Sequence, residues 1–195
     1  IMMQHTKADI LCIGEGEYTA SELLAAIQNG TPLSEVNGIW YRDSGGTVRQ
    51  TAPRAPIDDL STLPMPLWDS FPMDIYAETP IGAVNVNKWD DGKAVDGIHK
   101  KSMNVLSSRG CSYQCTFCYH DFMGTRYRFR KAENIVDEIA ILKEKYGVEY
   151  IHFIDDCFIL NKKNVLRFCE LMIERDMRVT WGCAGRVNMM TEEFI

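Results

Sequence analysis

Residues 107–119 of this chain are Ser107-Ser108-Arg109-Gly110-Cys111-Ser112-Tyr113-Gln114-Cys115-Thr116-Phe117-Cys118-Tyr119. Three cysteines fall within eight positions, with the spacing C-x3-C-x2-C. A loop this short can turn three thiolates toward one point. Three thiolates satisfy three irons of a four-iron, four-sulfur cube and leave the fourth iron without a protein ligand. An open coordination position distinguishes a site that performs chemistry from a closed structural site.

The cysteine pattern resembles the cluster-binding loop of the radical S-adenosylmethionine (radical SAM) superfamily, C-x3-C-x-aromatic-C, and Phe117 occupies the aromatic position. The resemblance implies that Cys111, Cys115 and Cys118 hold a [4Fe–4S] cluster. It also implies that SAM chelates the open iron and is cleaved to a 5′-deoxyadenosyl radical. Ser112 stands where proline is common in the family, and this departure concerns the rigidity of the loop rather than its ligands.

Other uses of these cysteines lead to different functions. Zinc could be held by the three thiols together with His120, although the common zinc patterns separate two C-x2-C-like pairs. Disulfides are disfavoured because the chain has seven cysteines, an odd number, and no secretory signal. A non-catalytic module that binds an Fe–S cluster or zinc therefore remains an alternative interpretation of these cysteines. The other four cysteines stand alone in apolar runs, which is typical of small buried side chains: Cys12, Cys157, Cys169 and Cys183.

Length and composition limit the partners. The chain has 195 residues, is 46% hydrophobic and carries a net charge of −6, which argues against nucleic acid as the main partner. No apolar run approaches the ~20 residues of a membrane span, and the cysteine usage favours a reducing, cytoplasmic setting. The last residues, from Thr191, have the pattern of a capped first helical turn, so we expect a fragment of a longer protein.

The first part of the chain has an α/β pattern. The apolar run 8–13 predicts a buried parallel strand, and Leu23, Leu24 and Ile27 predict the apolar stripe of a helix that ends at Gly30. Residues 9–17, which include most of this strand and the glycine turn after it, resemble part of the Rossmann-like cobalamin-binding domain that precedes the barrel in one radical SAM subclass. The matching part is the last strand and helix of that domain. The resemblance implies that the glycine turn lies near a ligand, and it makes two residues candidates for cofactor binding: Gly14 and Gly16.

Residues 36–103 are predicted to connect two domains. Two β-prone runs, 38–42 and 47–50, flank a glycine turn and predict a hairpin. Five prolines between residues 53 and 72 then favour an extended connector. We therefore predict the end of a cobalamin-binding-like domain over 1–35, a hairpin and proline-rich linker over 36–103, and a third region over 104–195.

The third region alternates strands with helices. Strands are predicted at 104–108, 150–154 and 179–183, with helices over 132–146 and after Asn161, although Lys131 stands where the family commonly has a helix-capping serine. This βαβαβ order predicts a parallel sheet. The fold class is therefore α/β. The resemblance implies the first half, three of six units, of a parallel partial (βα) barrel of radical SAM type.

Polar features follow each predicted strand, where parallel barrels gather their functional residues. Asp155 and Asp156 follow the second strand at the place where the family receives the amino group of SAM, although helix capping or loop solvation would explain either one. Arg186 follows the third strand and could pair with a carboxylate of SAM or substrate, or form a surface ion pair. Phe117 and Tyr119 are candidates for packing on adenine, or for support of the loop. No catalytic side chain is assigned.

The resemblance implies a radical SAM enzyme that acts on a small-molecule substrate with a [4Fe–4S] cluster, SAM and, in this subclass, cobalamin. Its reaction would be methyl transfer to an unreactive carbon or a radical rearrangement. An electron donor such as flavodoxin or ferredoxin is implied as a partner. A methylthiotransferase-like radical SAM enzyme is the alternative, and it predicts a different amino-terminal domain with its own cysteines.

Overall fold

The computed structural model describes residues 2–78, 101–119 and 126–192. The chain divides into two compact units, Ile1–Asp58 and Asp59–Ile195. No helix in the described ranges is long and apolar enough to cross a membrane. The helical turn expected after Thr191 runs into residues outside those ranges, and so does most of the carboxyl-terminal part of the predicted linker.

The first unit is built on a small antiparallel sheet. Its elements are helix α1 (Met2–His5), strand β1 (Ile10–Cys12), helix α2 (Glu17–Asn29) and strands β2 (Ile39–Arg42) and β3 (Val48–Gln50). The strand order is β1-β2-β3, with both pairs antiparallel. The predicted hairpin is therefore present. The parallel pairing predicted for the first strand is wrong within this sheet, because a short apolar run does not specify its partner.

Helix α2 differs from its predicted packing. Leu24 and Ile27 are 62% and 58% exposed, so the predicted apolar stripe is not buried in this unit, although Leu23 packs against the small core. That core contains Ala26 from the helix and Ile39 from β2. The helix ends at Gly30 as predicted, since Gly30 adopts φ of 69° and its N–H is donated to a helix carbonyl.

The hairpin belongs to the same compact unit as β1. Asp43 holds its turn, because the carboxylate accepts hydrogen bonds from the N–H groups of Gly45 and Thr47 at 3.0 and 2.9 Å. The unit then continues to Asp58. The predicted domain bounds at residues 35 and 103 remain a prediction; the structure itself separates its two units after Asp58.

The second unit contains the parallel sheet predicted from the sequence. Its regular elements are helix α3 (Met73–Glu78), strands β4 (Ser102–Val105), β5 (Ser108–Arg109) and β6 (Arg128–Phe129), helix α4 (Ala132–Tyr146), strand β7 (Tyr150–Phe153), helix α5 (Lys162–Glu174) and strand β8 (Thr180–Gly182). Strands β4, β7 and β8 pair in that order and in parallel. Strands β5 and β6 form a separate antiparallel pair.

The core of this unit lies between the parallel sheet and helices α4 and α5. Alternate strand residues enter it, such as Val105 from β4 and Phe153 from β7, which is the period-two pattern of strands. The ring of Phe153 lies 4.3 Å from Phe158 and 5.5 Å from Phe168, between ring centroids. These aromatic contacts fasten helix α5 and the turn before it to the middle strand.

The amino terminus of helix α4 is capped by distant residues. Lys131 occupies the cap position and its side chain makes no capping hydrogen bond. Instead, the N–H of Lys131 donates to Ser61 Oγ at 2.8 Å, and the N–H of Ala132 donates to Asn164 Oδ1 at 3.0 Å. The departure from the family's serine is thus compensated by two side chains from other elements.

A buried ion pair joins helix α4 to the chain that precedes it. Arg130 Nη1 lies 2.5 Å from Glu138 Oε2 and donates to the carbonyl of Leu106 at 3.0 Å. Arg130 Nε donates to Asn134 Oδ1 at 2.7 Å. Burial raises the pKa of Glu138, while the guanidinium acts in the opposite direction. Removing either partner would leave a buried charge without compensation.

We predict that Glu138→Ala lowers the free energy of unfolding by about 3 kcal/mol, because it leaves the guanidinium of Arg130, whose side chain is 13% exposed, without its counter-charge. Urea denaturation followed by circular dichroism measures the change. Glu144→Ala, at an exposed position of the same helix, is the control and should change it by less than about 0.5 kcal/mol. Equal effects of the two substitutions would contradict the structural role of the pair.

Candidate functional site

The parallel sheet brings three segments to one edge. The cysteine loop follows β4 and β5, Asp155 and Asp156 follow β7, and Arg186 follows β8. Because β4, β7 and β8 are parallel neighbours, their carboxyl ends meet at the same edge. The order expected from the sequence is therefore present in the fold.

A short antiparallel pair of strands, β5 and β6, flanks the cysteine loop. Ser108 of β5 pairs with Phe129 of β6, so the chain enters and leaves the loop on adjacent strands. Gly110 has φ of 78°, a left-handed conformation that favours glycine, and it turns the chain from β5 into Cys111. Within the loop the N–H of Cys118 donates to the carbonyl of Cys115 at 3.0 Å. These contacts fix the base of the loop and one turn within it.

The three predicted ligands differ in exposure. Cys111 and Cys115 are half-buried, Cys118 is exposed, and Cys111 also packs against the core of the second unit. All seven cysteines lie in the described ranges, and none forms a disulfide. Phe117 and Tyr119 are 91% and 78% exposed, so both present open aromatic faces rather than packing into the core.

The three sulfur atoms are not gathered around a common centre in this conformation. Among the described residues there is no group of three or more cysteine, histidine, aspartate or glutamate side chains placed to share a metal ion. His120, the fourth ligand of the zinc alternative, lies outside the described residues. The loop thus supplies the donors within a short segment but does not preassemble them.

Arg186 connects the end of β8 to the cysteine loop. Its Nη1 donates to Cys115 Sγ at 3.0 Å, and its guanidinium lies 4.0 Å from the ring centroid of Tyr113. Its Nε donates to Asn188 Oδ1 at 3.3 Å. The contact with Cys115 raises the pKa of Arg186. The described residues place a sulfur atom and an aromatic face beside this cation. Its predicted pairing with a carboxylate of SAM or substrate stays a prediction.

The two aspartates after β7 lie in different environments. Asp155 is 4% exposed, and its Oδ1 accepts hydrogen bonds from the hydroxyl groups of Ser107, at 2.8 Å, and of Ser108. Its Oδ2 accepts from the N–H of Ser107 at 3.2 Å. Burial raises the pKa of Asp155, and the serine hydrogen bonds oppose that rise. Asp156 is exposed, so its carboxylate is accessible to a ligand.

Tyr127 belongs to the same group and was not found from the sequence. Its hydroxyl is hydrogen-bonded to the Ser108 side chain, and burial, assisted by the negative charge of Asp155, raises its pKa to about 12. Tyr127 therefore stays a neutral phenol at physiological pH.

The glycine turn of the first unit is open on one side. Gly14 has φ of 84°, and a side chain there would meet nothing within 4 Å, whereas at Gly16 it would lie 3.7 Å from Cys12 Sγ. Glu15, between them, accepts a hydrogen bond from the N–H of Ile57 at 2.6 Å. Gly14 is therefore required by backbone conformation, and the predicted role of both glycines toward a cofactor stays a prediction.

The other cysteines follow their prediction only in part. Cys157 is buried and Cys169 and Cys183 are half-buried, but Cys12 is exposed, so its predicted burial is wrong. Burial raises the pKa of Cys157 and raises that of Cys183 to about 11. These thiols are poor metal ligands near neutral pH, because a metal binds the thiolate. The donor set of the cysteine loop thus fits an iron–sulfur cluster better than any other cysteines in the described ranges.

We predict that Cys118 reacts with iodoacetamide at pH 8 about 100-fold faster than Cys183 in the folded protein. Burial raises the pKa of the Cys183 thiol to about 11, so only about 0.1% of it is ionised at that pH. Cys183 is also half-buried, whereas Cys118 is exposed to the reagent. Peptide mass spectrometry after timed labelling measures both rates. In urea the two rates should converge; equal rates in the folded state would contradict the described burial.

The cysteine loop lies within a stretch of the chain that matches a known protein family. Residues 105–195 match the family described as the Radical SAM superfamily. The uncharacterized methyltransferase PH0819 of Pyrococcus horikoshii is 31% identical over 188 residues, which are 95% of this chain and 36% of that protein. The anaerobic magnesium-protoporphyrin IX monomethyl ester cyclase of Rubrivivax gelatinosus is 29% identical over 183 residues, 92% of this chain and 30% of that protein.

Among solved structures, the cobalamin-dependent S-adenosylmethionine radical enzyme OxsB, with aqua-cobalamin and S-adenosylmethionine bound, aligns with a TM-score of 0.67 at 23% identity. The alignment covers 94% of this chain and 24% of OxsB, and it shows a shared fold. The chain spans about a third of the length of the curated relatives described above.

Residues 105–195 of the chain belong to the radical SAM superfamily. The family predicted from the cysteine loop is thereby confirmed. The matched residues begin at Val105, the last residue of β4, and include the cysteine loop and the ends of β7 and β8.

Proposed function

We propose that this chain forms the cluster- and SAM-binding part of a radical SAM enzyme, with Cys111, Cys115 and Cys118 as the ligands of a [4Fe–4S] cluster. The observation that supports it best is the position of the cysteine loop, at the carboxyl edge of a three-stranded parallel sheet and within the residues matched to the superfamily. When bound, the cluster supplies the electron that cleaves SAM to a 5′-deoxyadenosyl radical. Three thiolates leave one iron open for SAM.

The residues around the loop have distinct proposed tasks. Arg186 places a positive charge 3.0 Å from Cys115 Sγ, and it is the candidate partner for the carboxylate of SAM. Asp156, which is exposed, is the candidate acceptor for the amino group of SAM. Phe117 and Tyr119 offer exposed aromatic faces on which adenine could pack.

We propose the following domain assignment for the two units. The parallel strands β4, β7 and β8 are the first three strands of a radical SAM partial barrel. The first unit contains the end of a Rossmann-like cobalamin-binding domain, with the turn at Gly14 and Gly16 facing the cofactor. The open space beside Gly14 supports this role, since a ligand can approach the backbone there.

Within the superfamily, the proposed reaction is cobalamin-dependent methyl transfer to an unreactive carbon of a small molecule, or a radical rearrangement of such a molecule. The name of PH0819 supports methyl transfer, and the similarity to OxsB, a cobalamin-dependent enzyme, supports cobalamin as a cofactor. The relative from Rubrivivax gelatinosus is named as a cyclase, and this name supports a reaction other than methyl transfer as the second possibility. Such an enzyme would work in the cytoplasm with an electron donor such as flavodoxin or ferredoxin.

The alternatives are a methylthiotransferase-like radical SAM enzyme and a non-catalytic Fe–S or zinc module. Both would use the same cysteine loop. A methylthiotransferase would carry cysteines of its own in a different amino-terminal domain. A binding module would hold its metal without cleaving SAM.

We predict that anaerobic reconstitution with iron and sulfide gives a brown protein with about four irons per chain. After reduction with dithionite this protein should convert SAM to 5′-deoxyadenosine. Single Cys111→Ser, Cys115→Ser and Cys118→Ser variants should lose most of the iron and all cleavage, because each removes one ligand. Iron and sulfide analysis and liquid chromatography of the nucleoside products measure these outcomes.

Cys12→Ser is the matched control, because Cys12 is exposed and lies in the other compact unit. Its iron content and cleavage should equal those of the unsubstituted protein. One zinc per chain with no SAM cleavage would reject the enzyme and favour the binding module.

A further inference from the structure

We propose that Asp155 is a positioning residue that holds the base of the cysteine loop through Ser107 and Ser108, and that this contact is required for stable cluster binding. The inference rests on the proposed function of Cys111, Cys115 and Cys118 as cluster ligands. It gives Asp155 a role different from that of Asp156, its neighbour in sequence.

The contact joins residues far apart along the chain, at the point where two strands end. Ser107 and Ser108 lie between the end of β4 and Cys111, and Asp155 follows the last residue of β7 after a single residue. The N–H of Ile154 still donates to the carbonyl of Val105 at 3.2 Å, as an extension of the parallel ladder. Asp155 therefore continues the connection between the two strands where the backbone ladder ends.

Among the described residues, the donors that other residues provide to the Asp155 carboxylate come from the two residues that enter the loop. They are the N–H of Ser107 and the hydroxyl groups of Ser107 and Ser108. These donors are neutral, and the carboxylate is 4% exposed. A buried carboxylate is tolerated when such hydrogen bonds satisfy it, so the two serines and the aspartate constrain one another.

The other strand at the base of the loop is held to the same residues. The N–H of Arg130 donates to the carbonyl of Ser107 at 2.8 Å, and Phe129 pairs with Ser108. Tyr127 is hydrogen-bonded to the hydroxyl of Ser108 from the returning chain. Asp155 thus binds the same two serines that hydrogen-bond to the chain leaving the loop.

This arrangement links strand β7 to the position of the first ligand. Cys111 lies three residues after Ser108 and packs against the core of the same unit. Groups that orient metal ligands without touching the metal commonly affect affinity by about 10–100-fold. Releasing the base would therefore accelerate loss of the cluster.

The burial of Asp155 also separates its role from that of a SAM contact. Both oxygens already accept hydrogen bonds from the loop base, whereas the carboxylate of Asp156 is exposed. A residue that binds the amino group of SAM would affect SAM binding after the cluster is in place. A residue that positions the loop would affect retention of the cluster in the absence of SAM.

The test is cluster retention without SAM. Unsubstituted protein, Asp155→Ala, Asp155→Asn and the double variant Ser107→Ala/Ser108→Ala are reconstituted anaerobically with iron and sulfide. The rate of iron loss to bathophenanthroline is then followed by absorbance. We expect Asp155→Ala and the double variant to lose iron at least about tenfold faster than the unsubstituted protein.

The rate for Asp155→Asn should lie between those of the unsubstituted protein and Asp155→Ala. The amide keeps one oxygen that can accept from both serine hydroxyls, but its NH2 group faces the N–H of Ser107, and two donors cannot pair. The asparagine variant keeps the shape of the side chain. A change in its rate of iron loss therefore reports the lost hydrogen bond rather than misfolding caused by a cavity. An asparagine variant as weak as alanine in a folded protein would show that both oxygens are needed.

Two control variants separate positioning from general stability. Asp74→Asn changes an exposed carboxylate of the same unit and should lose iron at the unsubstituted rate. Ile139→Val removes a methyl group from the core and should lower the unfolding midpoint without accelerating iron loss. The electron paramagnetic resonance spectrum of the reduced cluster, with and without SAM, is recorded for each variant.

The outcomes are distinct. If the unsubstituted protein binds no cluster, the proposed function fails, and with it the basis of this inference. If that protein binds the cluster and Asp155→Ala retains it equally well, the positioning role is overturned. The role is also overturned if Asp155→Ala keeps its cluster but loses the spectral change on adding SAM, since that result would make Asp155 a SAM ligand.

Discussion

The parallel pairing of β4 with β7 is the constraint on which the arrangement of this site depends. In that register Val105 lies opposite Phe153, so both strands end at the same level. Two residues beyond the end of each strand, the side chains of Ser107 and Asp155 form a hydrogen bond. A slip of the register would reverse the faces of the strand residues and separate the loop base from the carboxylate.

The sheet edge combines a firmly packed base with a more open loop. Buried contacts hold the entry and exit of the loop, including the ion pair between Arg130 and Glu138 and the hydrogen bonds to Asp155. Beyond that base, Phe117, Cys118 and Tyr119 are exposed. The base is thus buried like a protein core, while the part of the loop around Cys118 is exposed. Arg186 connects the two parts through Cys115 and Tyr113.

Local patterns predicted much of the second unit. Helix α4 has the bounds expected from its apolar spacing and from Gly147, and Asn161 caps α5 as expected, by accepting from the N–H of Asn164. Patterns that depend on a partner were less informative. The spacing of Leu24 and Ile27 identified an apolar face of α2, but it did not show that this face is exposed within the unit. The apolar residues of β1 predicted a strand but not its antiparallel pairing with β2. The contact of Asp155 with Ser107 joins residues 48 positions apart, which no local pattern could show.

The central claim is that one cluster is held by the three thiols of a single loop. Mössbauer spectroscopy of the protein reconstituted with iron-57 tests it most directly, because the spectrum distinguishes cluster types and reports each iron. The account predicts a four-iron, four-sulfur cluster in which one iron responds to SAM and the other three do not. A single iron bound by sulfur, or a four-iron cluster in which no iron responds to SAM, would contradict it.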